Sequence, residues 1–286
     1  MINIGRVFST SFAILRQRFW LLAGMWAVFF VIQIAGSFVL GLGLMVTGLA
    51  GAGGLEDPAA LASLGVGMIV FLALFYAAYI ALVLAQQAAM VTLASPLEQP
   101  AFGAALVRGF KSVLPFLGLL VLLILGYFAL AFGLALVAGG LALASPEAAS
   151  VVGGVLLVLF IPVLIWLGCR LSVVIAVVAV DEVYNPVTAL RRSWAVTRGK
   201  VIGILLTLIG TLAIALVMVG LPVLLIVGAT LSGESDPFAA LGAVIFAFVL
   251  IVPLFIIYTA FSAAVAGALH AEVTDGGADQ LEEVFA

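Results

Sequence analysis

Uncharged stretches of this chain run 19–55, 58–97, 112–146, 148–169, 201–233 and 237–271, with the charges lying between and beyond them. A helix crossing a hydrocarbon core of about 30 Å needs roughly 20 apolar residues, so each stretch is long enough for one span. Several exceed that length. Thirty-five helical residues would reach about 52 Å, so tilt, interfacial extension or broken ends must absorb the excess. The pattern predicts an all-α membrane protein with six transmembrane helices.

The segments between paired stretches repeat a helix-start signature. Asp57-Pro58-Ala59-Ala60, Ser145-Pro146-Glu147-Ala148 and Asp236-Pro237-Phe238-Ala239 each set a capping residue before a proline, at spacings of 88 and 91 residues. The capping oxygen accepts from unpaired backbone N–H groups, and proline at the first helical position has no N–H to leave unpaired. The opposite ends repeat too: Ile4–Trp20, Phe102–Leu117 and Val187–Ile202 each read as an amphipathic helix running into a span. Aligning Phe12, Phe110 and Trp194 brings Phe8, Leu106 and Leu190 into register, and Ser11, Gly109 and Ser193 with them. Asn185-Pro186 is the strongest start among the three, Gln99-Pro100 is weaker, and Asn3 caps the first copy without a proline. The predicted unit is an interfacial amphipathic helix plus a helical hairpin, used three times as pseudo-repeats over about 1–97, 98–183 and 184–270. Residues 1–270 then form a single six-span domain, and the acidic segment 271–286 with its Gly276-Gly277 break reads as a disordered cytoplasmic tail.

Charge settles an expected orientation. The chain has ten Lys and Arg residues, and all but Arg170 lie in three short segments preceding the first, third and fifth spans. These are Arg6, Arg16 and Arg18, then Arg108 and Lys111, then Arg191, Arg192, Arg198 and Lys200. The hairpin loops carry Glu56, Asp57, Glu147, Glu234 and Asp236 and no cation, so the positive-inside rule puts both termini in the cytoplasm. On the first amphipathic segment Ile4, Val7, Phe8, Phe12, Ile14, Leu15 and Phe19 share a side opposite Arg6 and Arg16, the pattern of a helix in the headgroup region. The first apolar stretch is too long for the core of a cleaved signal peptide.

Composition removes several function classes. Apolar residues make up 66 % of the chain, charged residues 8 %, and mean hydropathy is +1.45. Soluble domains carry about 25 % charged residues. One cysteine, Cys169, excludes an internal disulfide, and one histidine, His270, excludes a two-histidine zinc motif. No basic, aromatic-interleaved soluble face exists for nucleic acid. No acidic residue lies within the six stretches, so paired-carboxylate chemistry has no place there, and the glycine runs lack the Lys-Ser/Thr of a phosphate loop. Neither a catalytic group nor a metal or cofactor site is expected. The Ala260, Ala264, Ala268 run predicts a closely packed face on the last span.

Three features remain as candidates for binding. Arg170 stands 11 positions before Asp181, which on one continuous helix places it about 16 Å deeper. A guanidinium there needs helix-end carbonyls, amides such as Gln86 and Gln87, hydroxyls such as Ser172 and Thr207, or a bound anion. It serves either as an anion or headgroup site, or as a structural tie between helices. Gln86 and Gln87 read as interhelical hydrogen-bonding groups. In ALRRSWAVTRGK, residues 189–200, Arg191, Trp194 and Arg198 share a helical stripe, with Arg192 and Lys200 beside it, so lipid phosphate binding and simple anchoring are both open. Gly199 falls where a helix would end in a left-handed residue.

The same segment carries a resemblance. Glu182, Asn185-Pro186, Ala189-Leu190, Arg192-Ser193-Trp194, Thr197 and Gly199, preceded by Arg170-Leu171-Ser172, resemble the signature of a bacterial membrane family. That family is named after the membrane-spanning extension of some glycerophosphoryl diester phosphodiesterases, and the YciC-like inner-membrane proteins are among its relatives. The resemblance implies a six-span module of the bacterial inner membrane without the soluble phosphodiesterase barrel, whose paired histidines and metal-binding acids are missing here. Three functional readings stay open: a non-enzymatic module organising lipids or partner proteins at the inner leaflet, a transporter or channel for a small anionic solute or lipid, and an accessory subunit of a larger membrane complex. The implied partners are membrane lipids, anionic phospholipid among them, another membrane protein, or a second copy of the chain.

Overall fold

The computed structural model describes residues 2–53, 58–98, 100–220, 222–224, 227 and 237–275. These residues are helical with short connections, and no strand occurs among them. Six segments are long and apolar enough to cross a membrane: Ile4–Val46, Gly65–Leu93, Phe102–Val137, Val151–Ala179, Val201–Leu224 and Val249–Thr274. Each overlaps one of the six uncharged stretches, although Ile4–Val46, Phe102–Val137, Val151–Ala179 and Val249–Thr274 also take in charged residues. The helices are α1 (Ile4–Gly53), α2 (Pro58–Leu93), α3 (Phe102–Lys111), α4 (Val113–Ala144), α5 (Pro146–Leu171), α6 (Val174–Ala179), α7 (Pro186–Val196), α8 (Val201–Ala215) continuing into a π-helical turn at Leu216–Gly220, and α9 (Pro237–Asp275).

Helix ends follow the local chemistry. Pro58, Pro146 and Pro237 are the first residues of α2, α5 and α9, as the repeated signature predicts. The caps Asp57 and Asp236, the loop acids Glu56 and Glu234, the weaker start at Gln99 and the tail beyond Asp275 lie outside the described residues. The Asn185 side chain accepts from the N–H groups of Val187 and Thr188 at 3.0 and 3.1 Å, with Pro186 at the first position of α7. Asn3 caps α1 by accepting from the Arg6 N–H at 3.0 Å. Gly199 follows α7 at φ +75, the left-handed conformation that ends the helix before α8. Between α3 and α4 the break at Ser112 has a matching cause: Pro115 has no N–H for the Lys111 carbonyl.

Two sequence expectations need adjustment. Ile4–Trp20 is no separate interfacial helix; no proline interrupts it, and it forms the first turns of the 50-residue α1. Ala271–Asp275, assigned to the acidic tail, continue α9. Here Val273 is buried, and Glu272 accepts from the Asn3 N–H at 3.0 Å and pairs with Arg6 at 3.0 Å.

Packing concentrates at the end of the bundle where the cations lie. Arg18 donates to the Leu93 carbonyl at the end of α2 (2.8 Å), and Lys200 to Val273 near the end of α9 (2.7 Å). Arg108 pairs with Glu98 and, at 2.8 Å, with Glu182. Cations at helix C-termini satisfy carbonyls that lack intrahelical partners. The cores lie beside these ties: Leu22, Met25 and Phe29 of α1 pack with Ala85, Ala89, Met90 and Leu93 of α2 and with Ala260 and Ala264 of α9. Ala260, Ala264 and Ala268 are all buried, as their spacing predicts. Toward the other end the helices expose their apolar side chains, most extensively along Val121–Val137 of α4 and Val151–Trp166 of α5.

The aligned amphipathic segments have matching burial. Val7, Ala105 and Ala189 are buried, as are Ser11, Gly109 and Ser193 one turn later, whereas Phe12, Phe110 and Trp194 are exposed. Each of these rings meets an aromatic on a spanning helix: Phe261 of α9, Phe29 of α1 and Trp166 of α5 respectively. The small residues allow close approach. A Cβ on Gly109 would stand 2.6 Å from the Ala85 carbonyl oxygen.

Candidate functional site

Arg170 occupies the last turn of α5, and the helix breaks immediately after it at Ser172–Val173. The chain makes the short α6, turns through Glu182 in a left-handed conformation (φ 54), and returns as α7. This return brings α7 against the end of α5. The Arg170 guanidinium donates to the Trp194 carbonyl at 2.9 Å and to the Thr197 hydroxyl at 3.4 Å. It stands 5.4 Å from the ring centroid of Trp166 and 5.1 Å from that of Trp194, and the two indoles meet edge-on at 5.0 Å. Trp166 is four residues before Arg170 and so shares its helix face. In return, Ser193 donates its hydroxyl to the Arg170 carbonyl at 2.7 Å.

This geometry corrects the expected depth. The turn at Ser172–Val173 interrupts the helix on which a 16 Å offset from Asp181 was reckoned. Arg170 contacts Trp194 while Asp181 pairs with Arg192 at 2.7 Å, so both reach the same part of α7. Arg170 is 8 % exposed, and its partners are a helix-end carbonyl, a hydroxyl and two rings. Its Nε has no hydrogen-bond partner among the described residues. Of the partner types considered from sequence, a helix-end carbonyl and a hydroxyl are realised, the hydroxyl being that of Thr197 rather than Ser172 or Thr207. Gln86 lies instead on α2, where it accepts from the Gln33 amide at 2.8 Å and joins α2 to α1. Ser172 donates to Cys169 within its own turn at 2.8 Å, and Thr207 to Gly203 within α8 at 2.9 Å.

The stripe on α7 divides differently from its sequence reading. The cation over Trp194 among the described residues is Arg170 rather than Arg191 or Arg198. Arg191 and Arg198 are exposed, as are Arg16 and Lys111. Lys200 is committed to the Val273 carbonyl.

A second polar cluster joins Asp181, Arg192 and His270. His270, the single histidine, is fully buried, with Nε2 3.4 Å from Asp181 Oδ2. Burial alone would raise the Asp181 carboxyl, but His270 and Arg192 outweigh it and hold the carboxyl below its ordinary value. Burial and the neighbouring Glu182 push the Tyr184 hydroxyl up. The sequence signal for Trp166 was its spacing of four from Arg170; nothing local pointed to the pairing of Asp181 with His270, residues far apart in the chain.

A cavity of about 470 Å³ lies between α1, α2 and α9. Gln86 and Gln87 line it; Arg170 does not.

Comparison with curated proteins and with solved structures gives no match. The family model described as the membrane domain of glycerophosphoryl diester phosphodiesterase matches this chain over residues 148–279, the stretch that contains the whole Arg170–Trp194 site.

Proposed function

We propose that the chain is a non-enzymatic module of the bacterial cytoplasmic membrane that organises anionic lipid at the inner leaflet through its basic end. One observation carries the reading. Arg16, Lys111, Arg191 and Arg198 are exposed at the end where α1, α4 and α8 start and α2 and α9 finish. Arg6, Arg18, Arg108, Arg170, Arg192 and Lys200 at that end have protein partners instead. The division suits two tasks: the second group ties helix ends together, and the first faces headgroups, where each cation near an anionic surface contributes about 1 kcal/mol. Trp194, exposed on the same helix as Arg191, has the amphipathic ring that belongs at that level. Both termini are then cytoplasmic. The matched burial of the three amphipathic segments supports a threefold pseudo-repeat as the design that gathers the cations at one end.

Conduction of an anion past Arg170 has less support, because its guanidinium is committed to protein partners and the α1–α2–α9 cavity is not lined by it. Native mass spectrometry of the full chain from mild detergent tests the lipid reading. Retained phosphatidylglycerol or cardiolipin is expected, and should fall in an Arg16→Gln, Arg191→Gln, Arg198→Gln variant that folds normally. Loss of all anionic lipid from the native chain, or undiminished retention by that variant, would overturn it.

A further inference from the structure

We infer that the cavity between α1, α2 and α9 is a binding site for an uncharged lipid whose polar group carries hydroxyl and carbonyl functions, of the diacylglycerol class, entered from the side of the bilayer. The cavity holds about 470 Å³, within the range of roughly 300–1,000 Å³ seen for small-ligand pockets. Its walls include Trp26, Phe30, Tyr79 and Phe255, and no charged residue lines it among the described residues. Trp26 and Gln86 are buried and form the floor, whereas Tyr79 and Phe255 are exposed and mark the mouth. All four lie within spanning segments, so the mouth faces hydrocarbon. Pro253, between the lining residues Val252 and Phe255, cannot donate to the Val249 carbonyl, which loosens α9 at this level.

Polar groups inside the cavity decide what fills it. Gln33, Gln86, Gln87 and Thr259 line it. Gln86 is 8 % exposed; its oxygen accepts from Gln33 at 2.8 Å, which leaves its own NH₂ without a protein acceptor among the described residues. The Gln87 amide makes no hydrogen bond to the described residues, and the Thr259 hydroxyl donates to Ile256 within its own helix and keeps acceptor capacity. An amide facing hydrocarbon without a partner is costly, and water is scarce at this depth. An acyl chain alone would leave the amides unpaired, and a phosphate would find no counter-charge. An ester carbonyl can accept from the Gln86 and Gln87 NH₂ groups, a free hydroxyl can donate to the Gln87 oxygen, and the acyl chains leave along the aromatic walls.

Vesicles of phosphatidylcholine containing the full-length chain and an alkyne-tagged diacylglycerol with a diazirine in its acyl chain test this directly. Photolabelling is expected to concentrate on peptides spanning 26–33, 79–87 and 251–259, and excess untagged diacylglycerol should compete it away. Gln87→Leu, which removes no protein hydrogen bond, should lower that labelling roughly two- to ten-fold, the weight of about one neutral hydrogen bond. Val83→Trp fills the cavity with every amide intact and should abolish it. The inference is overturned if label spreads evenly over exposed faces such as α4 and α5, or if a phosphatidylglycerol probe labels the same peptides as strongly. It also fails if both variants, folded as judged by circular dichroism and gel filtration, are labelled like the native chain.

Discussion

The Arg170 guanidinium donates to the Trp194 carbonyl at 2.9 Å and stands 5.1 Å over the centroid of the same residue's indole, so one side chain holds both the backbone and the ring of Trp194. With Trp166 on its other flank and Ser193 donating to its own carbonyl, Arg170 fastens α7 to the end of α5. The cation satisfies a carbonyl near the C-terminus of α7, where the helix dipole also favours positive charge.

Arg170→Gln removes the charge-assisted bond and both ring contacts, offset in part by the relief of a buried charge. A loss of roughly 2 kcal/mol is expected. Thermal unfolding in mild detergent should show it, with bound anionic lipid unchanged in the folded fraction. Ser193→Ala, which deletes the returning hydrogen bond, should cost about 1 kcal/mol.

Gly109 meets α2 where a Cβ would lie 2.6 Å from the Ala85 oxygen and 2.7 Å from the Ala89 Cβ. Gly109→Ala should therefore destabilise by roughly 1–3 kcal/mol through overpacking. Gly103, on the same helix with open space around it, provides the contrast. Gly103→Ala should be neutral or stabilising by up to about 1 kcal/mol. Equal effects of the two substitutions on the unfolding temperature would contradict the α2–α3 packing.

The Asp181 carboxyl is held below its ordinary value, so its contribution to stability is complete above the ordinary aspartate range, near 3.9. It is lost as pH falls through the lowered folded-state value. Asp181→Asn should accordingly be less stable than the native chain at pH 7, and the gap should close below about pH 3.9. A gap that stays constant across that range would show that the pair with Arg192 and His270 contributes nothing.

Cys169 is buried, so the native chain should be silent toward membrane-impermeant maleimide. Cysteines introduced at the exposed positions Leu143 and Arg198 should be labelled from opposite sides of sealed vesicles, Arg198→Cys from the cytoplasmic side. Labelling of both from one side, or of Arg198→Cys from the outer side, would overturn the proposed orientation.

The six spans, the starts of α2, α5 and α9 at Pro58, Pro146 and Pro237, the Asn185 cap and the left-handed Gly199 were legible in the chain, because apolar length, capping oxygens and proline geometry act over a few neighbouring residues. The buried Ala260–Ala264–Ala268 face was legible for the same reason. Which partner Arg170 would take was not. The break at Ser172–Val173 and the turn at Glu182 redirect α7, and only that return puts Trp194 and Thr197 within reach of the guanidinium. The same holds for Asp181 beside His270, and for the amides of Gln33, Gln86 and Gln87 around one cavity. Local pattern determined which segments are helices and which end of each carries charge. Contacts between residues far apart in sequence depend on how those helices cross, and that was decided by the close approach of small residues such as Gly109 and by carbonyls at helix ends finding cations on other helices.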